Sequence, residues 1–344
     1  MNAIEVGGPP SSVTSHKPTV SLVLGSGGAR GYAHIGVIEE LLAQGFEIRS
    51  IAGSSMGALI GGVYAAGKLD AYRDWVEPLA GLDVLRLVDW TLSGGGLIKG
   101  DRIIGVLHDM IGDIDIEDLP ISYTAVAVDL HAQREVWFSR GSLFDAIRAS
   151  ISIPTVFRPY HHEGRLLVDG GLLNPLPISP TLRDMTDWTI GVDVNAAAET
   201  LDPGMALPGA TPQQADHAVA GHSVLDHEAA ELAATTRAQI RRRGATKPVK
   251  KRGVIASWFN RRPRQSAPVE PGLLELFGLS LDVVQETITR FRLAAQPPDL
   301  LITIPRNVCT FYEFHRAEEV IELGRQRTRA ALARWHVELR RRET

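Results

Sequence analysis

Cysteine is nearly absent: Cys309 is the only one in 344 residues. An intramolecular disulfide and a cysteine-based zinc cluster are therefore excluded, and a reducing compartment fits best. Long apolar runs are missing as well. The longest windows, 53–66 and 120–128, contain turn or polar residues and fall short of the ~20 residues that cross a bilayer, so no transmembrane helix is expected. Residues 1–18 are polar and rich in Pro, Gly and Ser, with no basic start leading into an apolar stretch. A secretory signal is not expected there, and the segment reads as a flexible tail. Charge of one sign is also scarce, because 40 acidic side chains stand against 36 basic ones for a formal net charge of −4. Without a chain-wide basic field, nucleic acid is not an expected partner. The cytoplasm is the expected location.

What is present is regular. The chain is 44% hydrophobic, which suffices for a sizeable core, and its length suits one large α/β domain or two small ones. Short apolar runs at 20–24, 48–52, 123–128, 135–138, 165–168, 189–194 and 300–304 read as strands. Helical spacing lies between or after them, from Tyr32 to a C-cap at Gly45, then at 58–66, 101–111, 142–150, 273–293 and 317–339. Alternation of the two argues for an α/β fold with a mostly parallel sheet covered on both faces. No tandem repeat is visible. One segment breaks the pattern. Between Leu232 and Val269 eleven basic residues, the first Arg237 and the last Arg264, meet no acidic one, so the rest of the chain carries a formal −15. Three prolines and the apolar patch Val254-Ile255-Ala256 with Trp258-Phe259 mark it as an insertion outside the core. The expected organisation is a tail at 1–18, a core at 19–199, a basic insertion at 200–272, and helices with a strand at 273–344 that complete the core.

Two glycine-rich turns carry the chemistry. Gly53-Ser54-Ser55-Met56-Gly57 fits Gly-x-Ser-x-Gly, a sharp strand-to-helix turn that presents its middle serine at a strained position where flanking side chains would collide. An apolar strand precedes it and a helix follows, and the helix N-terminus adds positive potential near the Ser55 oxygen. The bland alternative is that Gly53 and Gly57 merely permit tight packing. The second turn, Gly25-Ser26-Gly27-Gly28-Ala29-Arg30-Gly31, offers backbone N–H groups at a helix start, a cradle for a phosphate or for the oxyanion of acyl transfer. Dinucleotide binding fails on spacing, since the last position of G-x-G-x-x-G counted from Gly25 is Arg30, and a P-loop fails for want of a Lys-Ser/Thr pair. With a nucleophile turn nearby, an oxyanion hole is the better use of this loop, and neither a cofactor nor a metal is expected. Arg30 either holds the loop through carbonyls, lends it positive charge, or sits solvated at the helix start.

A serine nucleophile needs a base. In the common α/β-hydrolase triad the nucleophile follows several strands, whereas Ser55 follows only the second. None of the eleven histidines sits in a recognisable strand-end loop late in the chain. His161 and His162 are the nearest candidates, in a polar hairpin-like stretch, and His34 reads as structural. Asp169 differs from these: it ends the run Leu166-Leu167-Val168 and precedes Gly170-Gly171, which fixes a carboxylate at a strand edge. An ordinary Asp-Gly turn is the alternative.

Taken together, the stretch 25–36, the turn 53–57 and Asp169-Gly170-Gly171 resemble the patatin-like phospholipases, and the bacterial branch related to neuropathy target esterase looks closest. Ile153-Pro154-x-x-Phe157 and Asn174-Pro175-x-Pro177 also look like that family. The resemblance spans about residues 19–195. It implies a three-layer α/β/α fold and a Ser-Asp dyad without a catalytic histidine. By position Ser55 is the nucleophile, Asp169 the base, and the N–H groups around Gly27 and Gly28, with Ala29 and Arg30, the oxyanion hole. Ser26 stands where many relatives have glycine. The implied substrates are fatty-acyl esters such as phospholipids or lysophospholipids. The basic residues at 237–264 with Trp258 and Phe259 have the composition of a peripheral contact with an anionic membrane; a solvated loop is the alternative. A Ser-His-Asp triad esterase and a non-catalytic regulator on the same fold are the competing functions. Oligomeric state stays open, because the C-terminal helix with Val320, Leu323, Ala331 and Trp335 suits packing on the core or on another subunit.

Overall fold

The computed structural model describes residues 17–80, 96–98, 101–200 and 273–343. The expected tail up to residue 16 and the basic segment, with Trp258 and Phe259, lie outside them. Of the described residues, those within 17–200 and 282–343 fall in one compact unit, whose architecture is given below, and those at 273–281 fall in a second.

The sheet begins with β1 (Thr19–Leu24), β2 (Glu47–Ser54), β4 (Ser122–Asp129), β9 (Trp188–Ala196) and β10 (Leu300–Pro305), all mutually parallel in the order β10-β9-β1-β2-β4. Every residue of β1 is buried, as expected of a parallel strand covered on both faces. Antiparallel strands finish one side: β5 (Arg134–Phe138) and β8 (Arg165–Asp169) both pair with β4, and β7 (Tyr160–His162) pairs with β8. A separate two-stranded pair joins β3 (Gly96–Ile98) to β6 (Thr155–Phe157).

The helices are α1 (Ala33–Ala43), α2 (Met56–Ala65), α3 (Leu69–Val76), α4 (Asp101–Ile111), α5 (Leu143–Ser150), α6 (Leu273–Ala295) and α7 (Ala317–Glu343). Alternate residues of β1 face opposite layers. Leu24 meets α2 at Gly61, while Val23 packs in a cluster with Leu176, Ile178 and Leu293 of α6. The expected three-layer α/β/α fold with a mostly parallel sheet is therefore the observed one. Strand positions agree with the sequence reading to within a residue or two at each end. Four short elements were not anticipated. The strands β3, β6 and β7 have three residues each, too few for periodicity to register, whereas α3 does carry a signal in buried Leu69, Tyr72 and Val76 at helical spacing. The expected helix from Tyr32 also opens differently, with a 3-10 turn at Gly28–Tyr32 before α1.

The C-terminal helix α7 packs on the chain's own core. Val320, Leu323, Ala331 and Trp335 are all buried, and Trp335 sits between Phe46 and Trp188 at ring separations of 6.5 and 4.8 Å. Where α7 crosses α1 the backbones nearly touch. A Cβ on Gly36 would stand 1.9 Å from the Ile321 carbonyl oxygen, and one on Gly324 would stand 2.2 Å from that of Ala33. Arg325 to Glu39 (2.6 Å) and Arg329 to Glu40 (2.6 Å) close the edge of this crossing. Gly36→Ala is thus expected to lower the unfolding free energy by about 1–3 kcal/mol, because the three atoms nearest the added methyl are all backbone. Urea unfolding measures this, and a loss below about 0.5 kcal/mol would contradict so close a crossing.

Candidate active site

The site forms where two strands share one edge of β4. Running parallel, β2 ends its pairing with Ser54 opposite Val126; running antiparallel on the same edge, β8 pairs Asp169 with Ala127, the next residue. The other edge of β4 belongs to β5. Ser55 and Asp169 are 114 residues apart in sequence, yet consecutive positions of β4 deliver them to one place. At Ser55 the backbone turns through φ 55°, ψ −123°, leaving the strand and starting α2 at Met56. That is the strained strand-to-helix turn the motif predicts. Glycine is required beside it, since a Cβ on Gly57 would lie 2.1 Å from the Leu24 carbonyl oxygen.

The Ser55 hydroxyl donates to Oδ2 of Asp169 at 2.5 Å, and the amide of Gly171 donates to Oδ1 at 2.7 Å. Both side chains are almost fully enclosed, with Ser55 2% and Asp169 4% exposed. Burial pushes the Asp169 carboxyl up to about 7 from 3.8, against the pull of the hydrogen bonds from Ser55 and Gly171 that favour its charged form.

In the glycine loop the structure narrows the expectation. The amide of Ala29 donates to the Phe311 carbonyl at 2.9 Å and that of Arg30 to the Gly27 carbonyl at 3.2 Å. Neither is left for a ligand, which removes Ala29 and Arg30 from the four expected oxyanion donors. Gly25 and Ser26 are committed too, to Val192 and Pro175. The amides of Gly27 and Gly28 have no acceptor among the described residues. Gly31 packs against Met56, Gly53 against the start of α2, and Gly170 against the Val126 carbonyl.

Arg30 is 1% exposed, so it is not a solvated helix-start residue. Its Nη2 pairs with Asp282 at 2.7 Å and its Nε donates to the Gly27 carbonyl at 3.3 Å, which holds the loop from behind. Ser26 donates to Gln285 Oε1 at 3.0 Å, and Asn195 Nδ2 bonds both the Ser26 carbonyl (2.8 Å) and Gln285 (2.9 Å). None of Asp282, Gln285 or Asn195 was anticipated. Asn195 alone carried a signal, its place near the carboxyl end of a parallel strand, where sites form in open α/β sheets.

No imidazole reaches the pair among the described residues. His34 is buried with Nε2 on the Gly25 carbonyl at 2.7 Å, and burial holds it down at about 4, so it is a neutral structural bridge. His161 and His162 lie on β7, and the His162 ring stacks with Tyr160 and meets Phe138 edge-on. The partners of the Asp169 oxygens are instead the Ser55 hydroxyl and the Gly171 amide. Among the described residues there is also no group of three or more His, Cys, Asp or Glu placed to hold a metal ion, and no helix long and apolar enough to cross a membrane.

A carboxyl whose folded pKa is raised contributes stability that is intact below its unfolded value near 3.8 and lost as pH climbs through about 7. Asp169→Asn keeps an acceptor for Gly171 and a partner for Ser55 while removing the buried charge. Its melting temperature should therefore exceed that of the unmodified protein at about pH 8 by about 3 °C or more, with the gap closing towards about pH 4. Equal melting temperatures at the higher pH would show that the charge is not paid for in stability.

A family model described as patatin-like phospholipase matches residues 22–182, a span that includes both glycine turns and Asp169. An uncharacterized NTE family protein of Mycobacterium tuberculosis is 43% identical over 352 residues, covering 94% of this chain and 94% of that protein. Neuropathy target esterase sws of Drosophila melanogaster is 31% identical over 189 residues, which is 53% of this chain and 13% of the fly protein. Among solved structures, VipD from Legionella pneumophila superposes with a TM-score of 0.43 at 13% identity, covering 92% of this chain and 67% of that one. Near-complete coverage at 43% identity, together with the family-model match, shows that the chain belongs to the patatin-like phospholipase family, in the branch related to neuropathy target esterase.

Proposed function

We propose that the protein is a serine lipid acyl hydrolase of the phospholipase or lysophospholipase type, working through a Ser55-Asp169 dyad. The observation that carries this reading is the 2.5 Å hydrogen bond from the Ser55 hydroxyl, at a turn of positive φ, to a buried carboxylate. Its family includes proteins named phospholipase and esterase, which supports a fatty-acyl ester as the substrate.

In the proposed reaction the Ser55 oxygen attacks the ester carbonyl while Asp169 accepts its proton. The new C–O bond places negative charge on the former carbonyl oxygen, which the Gly27 and Gly28 amides receive. Collapse breaks the bond to the alcohol, and Asp169 returns the proton to that leaving group. Water then attacks the acyl-serine, giving a proton to Asp169, and the acid leaves as Ser55 is reprotonated. A carboxylate with an ordinary pKa near ~4 is a poor base for a hydroxyl. Burial that raises Asp169 to about 7 supports its role here, since it makes the carboxylate a stronger base.

Fluorophosphonate is expected to label the protein at Ser55 and to leave Ser55→Ala unlabelled. Ser55→Ala and Asp169→Asn should each lower p-nitrophenyl ester turnover about 10³-fold or more. Because the ionised carboxylate is the working form, kcat/KM should rise with pH through about 7. Replacing His161 and His162 together should change turnover by less than about twofold; a large loss there would restore the triad reading.

We also infer a peripheral contact with the inner, anionic face of a membrane through residues 237–264, supported by their eleven unopposed basic side chains beside Trp258 and Phe259. Co-sedimentation with phosphatidylglycerol vesicles should weaken with added salt and on deletion of residues 240–265. Binding that survives the deletion unchanged rules this contact out.

A further inference from the structure

We infer that Ser150 is a positioning residue that sets the reach of the Ser55 hydroxyl to Asp169. This rests on the dyad proposed above. Ser150 is the last residue of α5 and is fully buried. Its hydroxyl accepts the amide of Ser55 at 2.9 Å and donates to the Val126 carbonyl at 2.6 Å.

Those two partners mark the break in the sheet. Val126 is the last residue of β4 in register with β2, and the positive φ of Ser55 swings its amide off the ladder just beyond that point. A buried amide and a buried carbonyl left unpaired at such a break would each cost about 1–3 kcal/mol. The Ser150 hydroxyl is both acceptor and donor, so one oxygen satisfies both groups and fixes where the Ser55 backbone sits relative to β4.

Asp169 is held from the same short segment. Its amide donates to the Ser152 carbonyl at 3.0 Å, two residues past Ser150. The turn 150–152 therefore grips the amide of the serine and the amide of the aspartate at once. It is itself anchored, because Ala149 packs in a buried cluster with Ala127 of β4 and Leu167 of β8. The 2.5 Å contact between the side chains follows from backbone positions that this turn ties to β4 on either side of one peptide.

A serine that only completed the core would affect stability alone, whereas a positioning role affects the chemical step. The test compares Ser150→Ala and the near-isosteric Ser150→Cys with the unmodified full chain, using p-nitrophenyl butyrate and active-site titration with fluorophosphonate to count competent sites. Expected for both variants is a fall in kcat of about tenfold or more with KM within about threefold, while Ser150→Cys keeps its melting temperature. The acid limb of kcat/KM should also move to higher pH, since a poorer hydrogen bond from Ser55 relieves part of what holds the Asp169 carboxyl down. Turnover by Ser150→Cys within about twofold of the unmodified protein, or a loss explained by fewer competent sites with the limb unmoved, overturns the inference. Ester turnover that persists in Ser55→Ala is a separate result, since it defeats the dyad whatever Ser150 does.

Discussion

Two strands that meet head to head along one edge of β4 set the geometry on which the site depends. A parallel strand and an antiparallel strand cannot continue the same hydrogen-bond ladder, so pairing must stop where they meet, between Val126 and Ala127. The stop is what makes the site. On one side the chain escapes through the strained turn at Ser55, and on the other it enters the 3-10 turn at Gly170–Leu172 behind Asp169. Glycine at 170 follows from the same crowding, because a Cβ there would stand 2.1 Å from the Val126 carbonyl oxygen. Reactive side chains face each other because the backbone behind them has run out of ladder.

A second constraint comes from the opposite face of the sheet. Asp282 and Gln285 lie on α6, and between them they hold Arg30 and Ser26 of the glycine loop. A buried ion pair is weak evidence for stability, since desolvation offsets most of its attraction. Its better attested use is to fix one arrangement, and here Arg30 Nε also binds the Gly27 carbonyl. Holding that carbonyl orients the Gly27-Gly28 peptide, whose N–H is one of the two that no described residue accepts. The loop is thus held by contacts made on its far side.

The parts that sequence revealed are local ones. Ser55 and Asp169 stood out because each sits between an apolar run and glycines, a pattern spanning a few residues, and β1, β2, β4 and β9 stood out through short, mostly apolar runs. Ser150, Asp282 and Gln285 were silent because they act on Ser55, Arg30 and Ser26, which lie 95, 252 and 259 residues away. Of the four amides expected of the oxyanion loop, that of Ala29 is taken for a similar reason, by the carbonyl of distant Phe311, whereas that of Arg30 is taken locally by the Gly27 carbonyl. Arg30 was ambiguous in sequence since a guanidinium at a helix start is ordinarily solvated, and its burial here goes with the Asp282 carboxylate and the Gly27 carbonyl that it binds.

A carboxylate in place of an imidazole changes where charge resides during the proposed reaction. A neutral imidazole that takes the serine proton becomes a cation, so attack creates an ion pair inside the pocket, which then needs a third group to stabilise it. Asp169 begins with the negative charge and becomes neutral, while the oxyanion acquires one. The total stays the same and a single charge moves from Asp169 towards Gly27 and Gly28. In an enclosed site of low dielectric, moving a charge over a short distance is far less costly than creating a separated pair. Burial also makes the starting carboxylate unfavourable relative to its protonated form, which is the form it takes as Ser55 attacks. The apolar surroundings that destabilise the resting charge therefore lower the barrier to handing it over, provided that the two amides of the glycine loop stay uncommitted.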